Sequence, residues 1–145
     1  KRYKIASRTC LLKDPFALET LQEKSATQKP VIISMGMGGN RKKLERIFSK
    51  NQKIFCYCIS EYPTKINKID WKSAIRYDGF SDHTLGITAS LIFAMLKKQQ
   101  NAKNILIEKH VKLRNSRGPD ADSSIDTEEL TDLVSAVRKI EKLKF

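Results

Sequence analysis

The chain has 145 residues, 40% hydrophobic and 30% charged, with a formal net charge of +12. That is enough for one ordinary core, and only 6 Gly and 4 Pro exclude collagen-like, low-complexity and wholly disordered classes. No run reaches the ~18 apolar residues of a membrane span, and no apolar stretch behind Lys1-Arg2-Tyr3-Lys4 makes a secretory signal.

Period and punctuation predict repeated strand-then-helix units. Tyr3–Ala6 reads as a short strand. Pro15 opens a helix over 15–28, with Asp14 as its cap and Phe16, Leu18 and Leu21 at helical spacing. Val31–Ser34 is a continuous apolar run, as in a strand covered on both faces. Gly36-Met37-Gly38-Gly39-Asn40 reads as a plain turn, since no Walker lysine follows, and a helix over 41–50 turns Leu44 and Ile47-Phe48 inward. Lys53–Ile59 is a third strand, 67–75 a short helix carrying Trp71, and Tyr77–Phe80 a fourth strand. Ser81–Thr84 reads as a polar loop, Leu85–Leu96 as an apolar helix, and 97–103 as an inserted polar turn. Asn104–Glu108 is a fifth strand, followed by a long loop with Gly118-Pro119. Thr127–Leu143 is amphipathic, and Asp126-Thr127 before Glu128-Glu129 gives it a sound start.

Five βα units with short connections imply parallel strands and right-handed crossovers. Two architectures fit: an open doubly wound sheet, or part of a (β/α)8 barrel. No G-x-G-x-x-G follows the first strand, which weakens a dinucleotide fold. Polar residues gather where strands end: Ser7, Ser34, Ser60-Glu61-Tyr62, Ser81-Asp82-His83 and Lys109-His110. In either architecture those carboxyl ends are where ligands bind.

The basic charge favours anionic partners, but the lysines and arginines are scattered and no aromatic stripe runs between them. Nucleic acid and membrane are therefore not expected as partners. Cys10, Cys56 and Cys58 form no C-x-x-C pair, so they read as reduced thiols of a cytoplasmic protein rather than a zinc site. His83 and His110 are the only histidines. On neighbouring strands, ~4.8 Å apart, they could share one metal ion, with Asp82 and Glu108 orienting them from behind; two hydrogen-bonded rim histidines would look the same in sequence. Lys4, Ser34 and Ser81 could form an anion site. Tyr62 before Pro63, and Asp120 after Gly118-Pro119, could reach over the same mouth, and Met35 and Met37 read as packing residues.

Six segments in order carry a resemblance. They are Tyr3-Lys4-Ile5-Ala6-Ser7-Arg8, Ile33-Ser34-Met35-Gly36-Met37, Ser60-Glu61-Tyr62-Pro63-Thr64, Gly79-Phe80-Ser81-Asp82-His83-Thr84-Leu85-Gly86, Ile107-Glu108-Lys109-His110 and Gly118-Pro119-Asp120. As a set they resemble the sialic acid synthase family, which includes N-acetylneuraminate, legionaminate and pseudaminate synthases. The resemblance implies an α/β fold: a partial (β/α)8 TIM barrel whose five βα units match strands four to eight. It implies condensation of phosphoenolpyruvate with an N-acetylmannosamine-like sugar, giving a nine-carbon 2-keto acid and phosphate. It also implies a divalent metal, manganese or else magnesium, held by His83 and His110. Lys4, Ser7, Ser34 and Ser81 match phosphoenolpyruvate-binding positions, and Ser60 stands where many relatives carry Asn. Tyr62 and Asp120 match sugar-side or site-closing positions.

The resemblance also has gaps. The family's first three strands and its C-terminal antifreeze-like domain have no counterpart here, and Thr9 stands where relatives carry an acid. Five of eight strands cannot close a barrel. The expectation is a single unit over 1–145 that is inactive alone and completed by a longer polypeptide, a partner chain or a homo-oligomer. The alternative is a non-catalytic half-barrel remnant that binds a partner or a sugar phosphate.

Overall fold

The computed structural model describes residues 1–145. Five strands alternate with five helices: β1 (Tyr3–Ile5), α1 (Ala17–Ala26), β2 (Val31–Ser34), α2 (Arg41–Ile47), β3 (Lys53–Cys58), α3 (Trp71–Ala74), β4 (Gly79–Asp82), α4 (Thr88–Gln99), β5 (Leu106–Lys109) and α5 (Thr127–Glu141). All strand pairs are parallel, in the order β1-β2-β3-β4-β5, with Tyr3 opposite Val31, Ile33 opposite Phe55, Cys56 opposite Gly79 and Ser81 opposite Glu108. A doubly wound sheet reverses its strand order at a switch point; this one never does. The sheet also curls. Laid flat, β1 and β5 would stand roughly 19 Å apart, four strand spacings of ~4.8 Å. Yet Lys4 Nζ on β1 lies 3.3 Å from Glu108 Oε2 on β5, so the two edges face each other across the concave side. The fold is a half-barrel.

The convex side carries the core in two groups. Ile5, Leu21, Val31, Ile33, Leu44, Phe48 and Phe55 fill the space under α1 and α2, while Ile69, Ala74, Phe80, Ala89 and Phe93 fill that under α3 and α4. Val31 and Ile33 are fully buried, as the unbroken apolar run of β2 requires. Asn40 caps α2 by accepting the Lys43 N–H at 3.0 Å, and Asp70 caps α3 through Ser73 N–H at 3.2 Å. Asp126 and Glu129 form a reciprocal capping box on α5. No helix is long and apolar enough to cross a membrane.

Several element boundaries differ from the sequence expectation. Asp14 does not cap α1; its carboxylate accepts the Phe16 N–H at 2.8 Å, and the helix begins only at Ala17. The buried stripe of α1 is then Ala17 and Leu21, leaving Phe16 and Leu18 exposed. Helix α4 starts at Thr88 because Gly86 takes a left-handed backbone (φ 62°) that stops a helix running back to Leu85. At its other end Lys97 and Lys98 belong to the last turn, where Lys97 Nζ reaches the carbonyls of Ile75 and Tyr77. β4 lies two residues later than expected, and Ser81 and Asp82 are strand rather than loop.

Asp82 explains that shift. It is fully buried on the convex side, where it accepts the Thr84 N–H at 2.8 Å and the Ser90 hydroxyl at 2.6 Å from α4. Lys109 Nζ from β5 stands 3.4 Å away and also donates to the Thr84 carbonyl. Burial pushes the Lys109 ammonium below its usual value, and Asp82 pulls it back up. A charged pair therefore pins β4, β5 and α4 together beneath the rim.

Candidate active site at the strand carboxyl ends

Alternation along each strand decides which side chains face the concave side. On β4 it is Ser81, with His83 following. On β5 it is Glu108, with His110 following. Together with Lys4 on β1 and Ser7 just beyond it, Ser34 on β2, and Cys58 on β3 with Ser60 just beyond it, they line one cavity of about 470 Å³. The two outer grooves beside α5 carry charged side chains but no histidine and no hydroxyl.

Four of these side chains close a ring. Lys4 Nζ donates to Ser34 Oγ at 2.8 Å, Ser34 donates to Ser81 Oγ at 3.1 Å, Ser81 donates to Glu108, and Glu108 returns to Lys4. Three small hydroxyl or ammonium donors thus converge with a single carboxylate opposite. Ser7 sits beside them, accepting the Gly36 N–H at 2.9 Å. That approach requires glycine, because a Cβ at residue 36 would lie 2.7 Å from Ser60 Oγ and 2.8 Å from Cys58 Sγ.

The histidines converge at the rim. Their ring centroids are 5.4 Å apart. Tyr62 stacks on His83 at 4.0 Å and meets His110 edge-on at 5.7 Å, so one phenol ring braces both imidazoles. His83 Nδ1 is 2.7 Å from the Ile59 carbonyl. A carbonyl only accepts, so the proton is on Nδ1 and the Nε2 lone pair is free. Asp120 approaches His110 Nδ1 at 3.9 Å. A backing acceptor on Nδ1 and an unprotonated Nε2 is the arrangement of a metal-binding imidazole. The donor chemistry therefore fits a divalent cation on two nitrogens. No group of three His, Cys, Asp or Glu side chains comes together around one point.

Burial holds the His83 imidazole below its ordinary 6.5, with His110 adding to the effect. Since the folded value is the lower one, the unfolded chain takes up the proton first as pH falls. Stability of the metal-free protein is therefore expected to be intact above about 6.5 and to drop as the pH falls through the folded value. Thermal midpoints between pH 7.5 and 5 will show this, and His83→Gln should flatten the slope. Burial, reinforced by Cys58, Asp120 and Glu108, raises the Tyr62 phenol, so it stays protonated and can donate. The three cysteines are free and buried, with Cys10 pushed up to about 11 and Cys56 to about 12 by desolvation. They are inert thiols rather than nucleophiles.

All the site residues expected from sequence line or edge this cavity: Lys4, Ser7, Ser34, Ser60, Tyr62, Ser81, His83 and His110 line it, and Asp120 stands beside His110. Glu108 and Asp82 do not orient the histidines from behind. Glu108 is inside, two residues before His110 on the same face, and Asp82 belongs to the convex ion pair. Arg8, Cys58 and Met37 were missed. Period-two counting back from His110 would have found Glu108; nothing local marks Arg8 or Met37, which arrive from loops.

The NeuB family model matches residues 1–144. The chain belongs to the NeuB family. An N,N'-diacetyllegionaminic acid synthase of Campylobacter jejuni is 33% identical over 140 residues, covering 86% of this chain and 40% of that protein. The human N-acetylneuraminate-9-phosphate synthase is 29% identical over 134 residues, covering 83% of this chain and 36% of that protein. A crystal structure of N-acetylneuraminic acid synthetase from Leptospira borgpetersenii, in complex with citrate, superposes with a TM-score of 0.77 at 26% identity. That match covers 97% of this NeuB-family chain and 50% of the other. The chain thus spans about 40% of the length of its curated relatives.

Proposed function

We propose that this chain supplies part of the active site of a nonulosonic acid synthase, which joins phosphoenolpyruvate to an N-acetylated amino-sugar aldehyde. The observation that carries the reading is the meeting, in one cavity, of an ammonium and hydroxyl donor set with two imidazoles. In the reaction, C3 of the enol bonds to the aldehyde carbon and the aldehyde oxygen takes up a proton. Water adds at C2 and phosphate leaves with its bridging oxygen, giving a 2-keto acid.

Lys4, Ser34, Ser81 and Ser7 suit the phosphate and carboxylate of phosphoenolpyruvate, because charge-assisted bonds to such anions are about twice as strong as neutral ones. Lys4 is held meanwhile by Glu108, so an arriving dianion exchanges one partner of Lys4 for another. Ser60 lines the same cavity. His83 and His110 are the residues that would hold manganese or magnesium, and such a cation supplies positive charge next to the oxygen where negative charge develops. Tyr62 packs against both imidazoles and offers its phenol as a donor, and Asp120 places a carboxylate 3.9 Å from His110 Nδ1. The rest of the barrel would come from a longer polypeptide or a partner chain, and the protein would act as a homo-oligomer or paired with that missing part.

The test is an assay of phosphate release and nine-carbon keto acid formation from phosphoenolpyruvate and amino sugars. It is run on the complete polypeptide and on residues 1–145. Product from the complete polypeptide alone supports the reading. No product from either, with every acceptor tried, leaves a non-catalytic half-barrel.

A further inference from the structure

Among the charged side chains lining the site cavity, Lys4 and Glu108 satisfy each other. Arg8 does not: no carboxylate, carbonyl or hydroxyl is bonded to its guanidinium, and its neighbour Ser7 is already committed to Gly36. The backbone beneath Arg8 is fixed. Arg8 opens a single 3-10 turn whose Cys10 is buried, with its thiol on the carbonyls of Ala6 and Ser34. Arg8 and Met37 also line a second cavity of about 480 Å³ adjoining the first, to which Lys13, Asp14 and Phe16 contribute, and the Asp14 carboxylate there is bonded to the Phe16 N–H rather than to Arg8. An unpaired planar cation therefore stands at the junction between the reaction cavity and open space leading away from it.

An unpaired guanidinium in such a place is a bidentate receptor for a phosphate or carboxylate. The phosphoenolpyruvate anion has its own donors at Lys4, Ser34 and Ser81. What remains for Arg8 is an anion on the other reactant. The family contains both kinds: one relative is named for a 9-phosphate product and another for unphosphorylated diacetyllegionaminic acid. When three carbons from phosphoenolpyruvate are added to the aldehyde end of a six-carbon sugar, carbon 9 of the product is carbon 6 of the acceptor.

We propose that Arg8 anchors a phosphate on the far end of the acceptor, so that this site takes an amino-sugar 6-phosphate in preference to the neutral sugar. The inference rests on the synthase reading, and its test is built to fail separately. Binding is measured by calorimetry on the complete polypeptide, with manganese and saturating phosphoenolpyruvate. The ligands are N-acetylmannosaminitol and its 6-phosphate, which lack the aldehyde and cannot react. Occupancy by phosphoenolpyruvate keeps the sugar phosphate out of the Lys4 locus. The 6-phosphate is expected to bind at least ~10-fold more tightly than the neutral alditol, and Arg8→Gln to erase the difference. Arg8→Lys should keep part of it, because a point charge replaces a fork. Equal binding of the two ligands, no binding of either, or a preference that survives Arg8→Gln overturns the inference. A phosphate preference without any product from the aldehyde sugars overturns the synthase reading and leaves the Arg8 site standing.

Discussion

His83→Ala in the complete polypeptide is expected to lower kcat/KM by at least ~10³-fold, about 4 kcal/mol of transition-state stabilisation. Manganese is expected to raise the thermal midpoint, and the same change should abolish that rise. The argument starts at the Ile59 carbonyl. It holds the Nδ1 proton and turns the free Nε2 lone pair toward the cavity that His110 also lines. With only two imidazoles from this chain at the rim, loss of one halves the protein's nitrogen donors and leaves the other unable to hold an ion alone. His110→Ala should behave alike. Tyr62 stacks directly on His83, so Ala also removes packing; His83→Asn, which keeps a polar side chain of similar reach, controls for that loss. Metal affinity unchanged in both alanine variants, measured by titration of manganese, would end the assignment.

Asp82→Ala is expected to cost about 3–5 kcal/mol of folding stability, the range for removing one partner of a buried ion pair. Three donors lose their acceptor at once: the Thr84 N–H, the Ser90 hydroxyl and the Lys109 ammonium. The worst of these is Lys109, whose side chain is 3% exposed and whose charge would then stand without a counterion. Asp82→Ala combined with Lys109→Met should recover a large part of the loss, because it removes the stranded charge. Urea unfolding measures both. A loss under about 1 kcal/mol for the single variant would mean that water or relaxation serves those donors instead.

The alternation of strands and helices was legible because the core elements advertise themselves. Val31–Ser34 and Lys53–Cys58 are short apolar runs, and Asp126 with Glu129 marks a helix start. What failed to show were positions where a polar residue is buried for a tertiary reason. Ser81 and Asp82 read as a loop because neither is apolar, yet one faces the cavity and the other meets a lysine from the next strand. The rim histidines were legible as a pair only through the assumption that consecutive strands are neighbours, which the strand order bears out. Helix α5 shows a further limit. Its apolar spacing is regular, but only Leu133 is buried and Val134 is 50% exposed. The helix packs on α4 at the end of the sheet, where no strand lies beyond β5 to cover its far side.

The unbroken strand order has a consequence for how the polypeptide reaches this shape. Each strand pairs with one that precedes it by only about 20–30 residues, so every docking step closes a modest loop onto a partner already made. Synthesis from the ribosome can therefore lay the half-barrel down one βα unit at a time, with no strand held in waiting for a distant mate. Lys4 with Glu108 is the exception. That contact joins opposite ends of the series and can form only after the last strand has docked, so the ring of Lys4, Ser34, Ser81 and Glu108 closes later than any strand pairing.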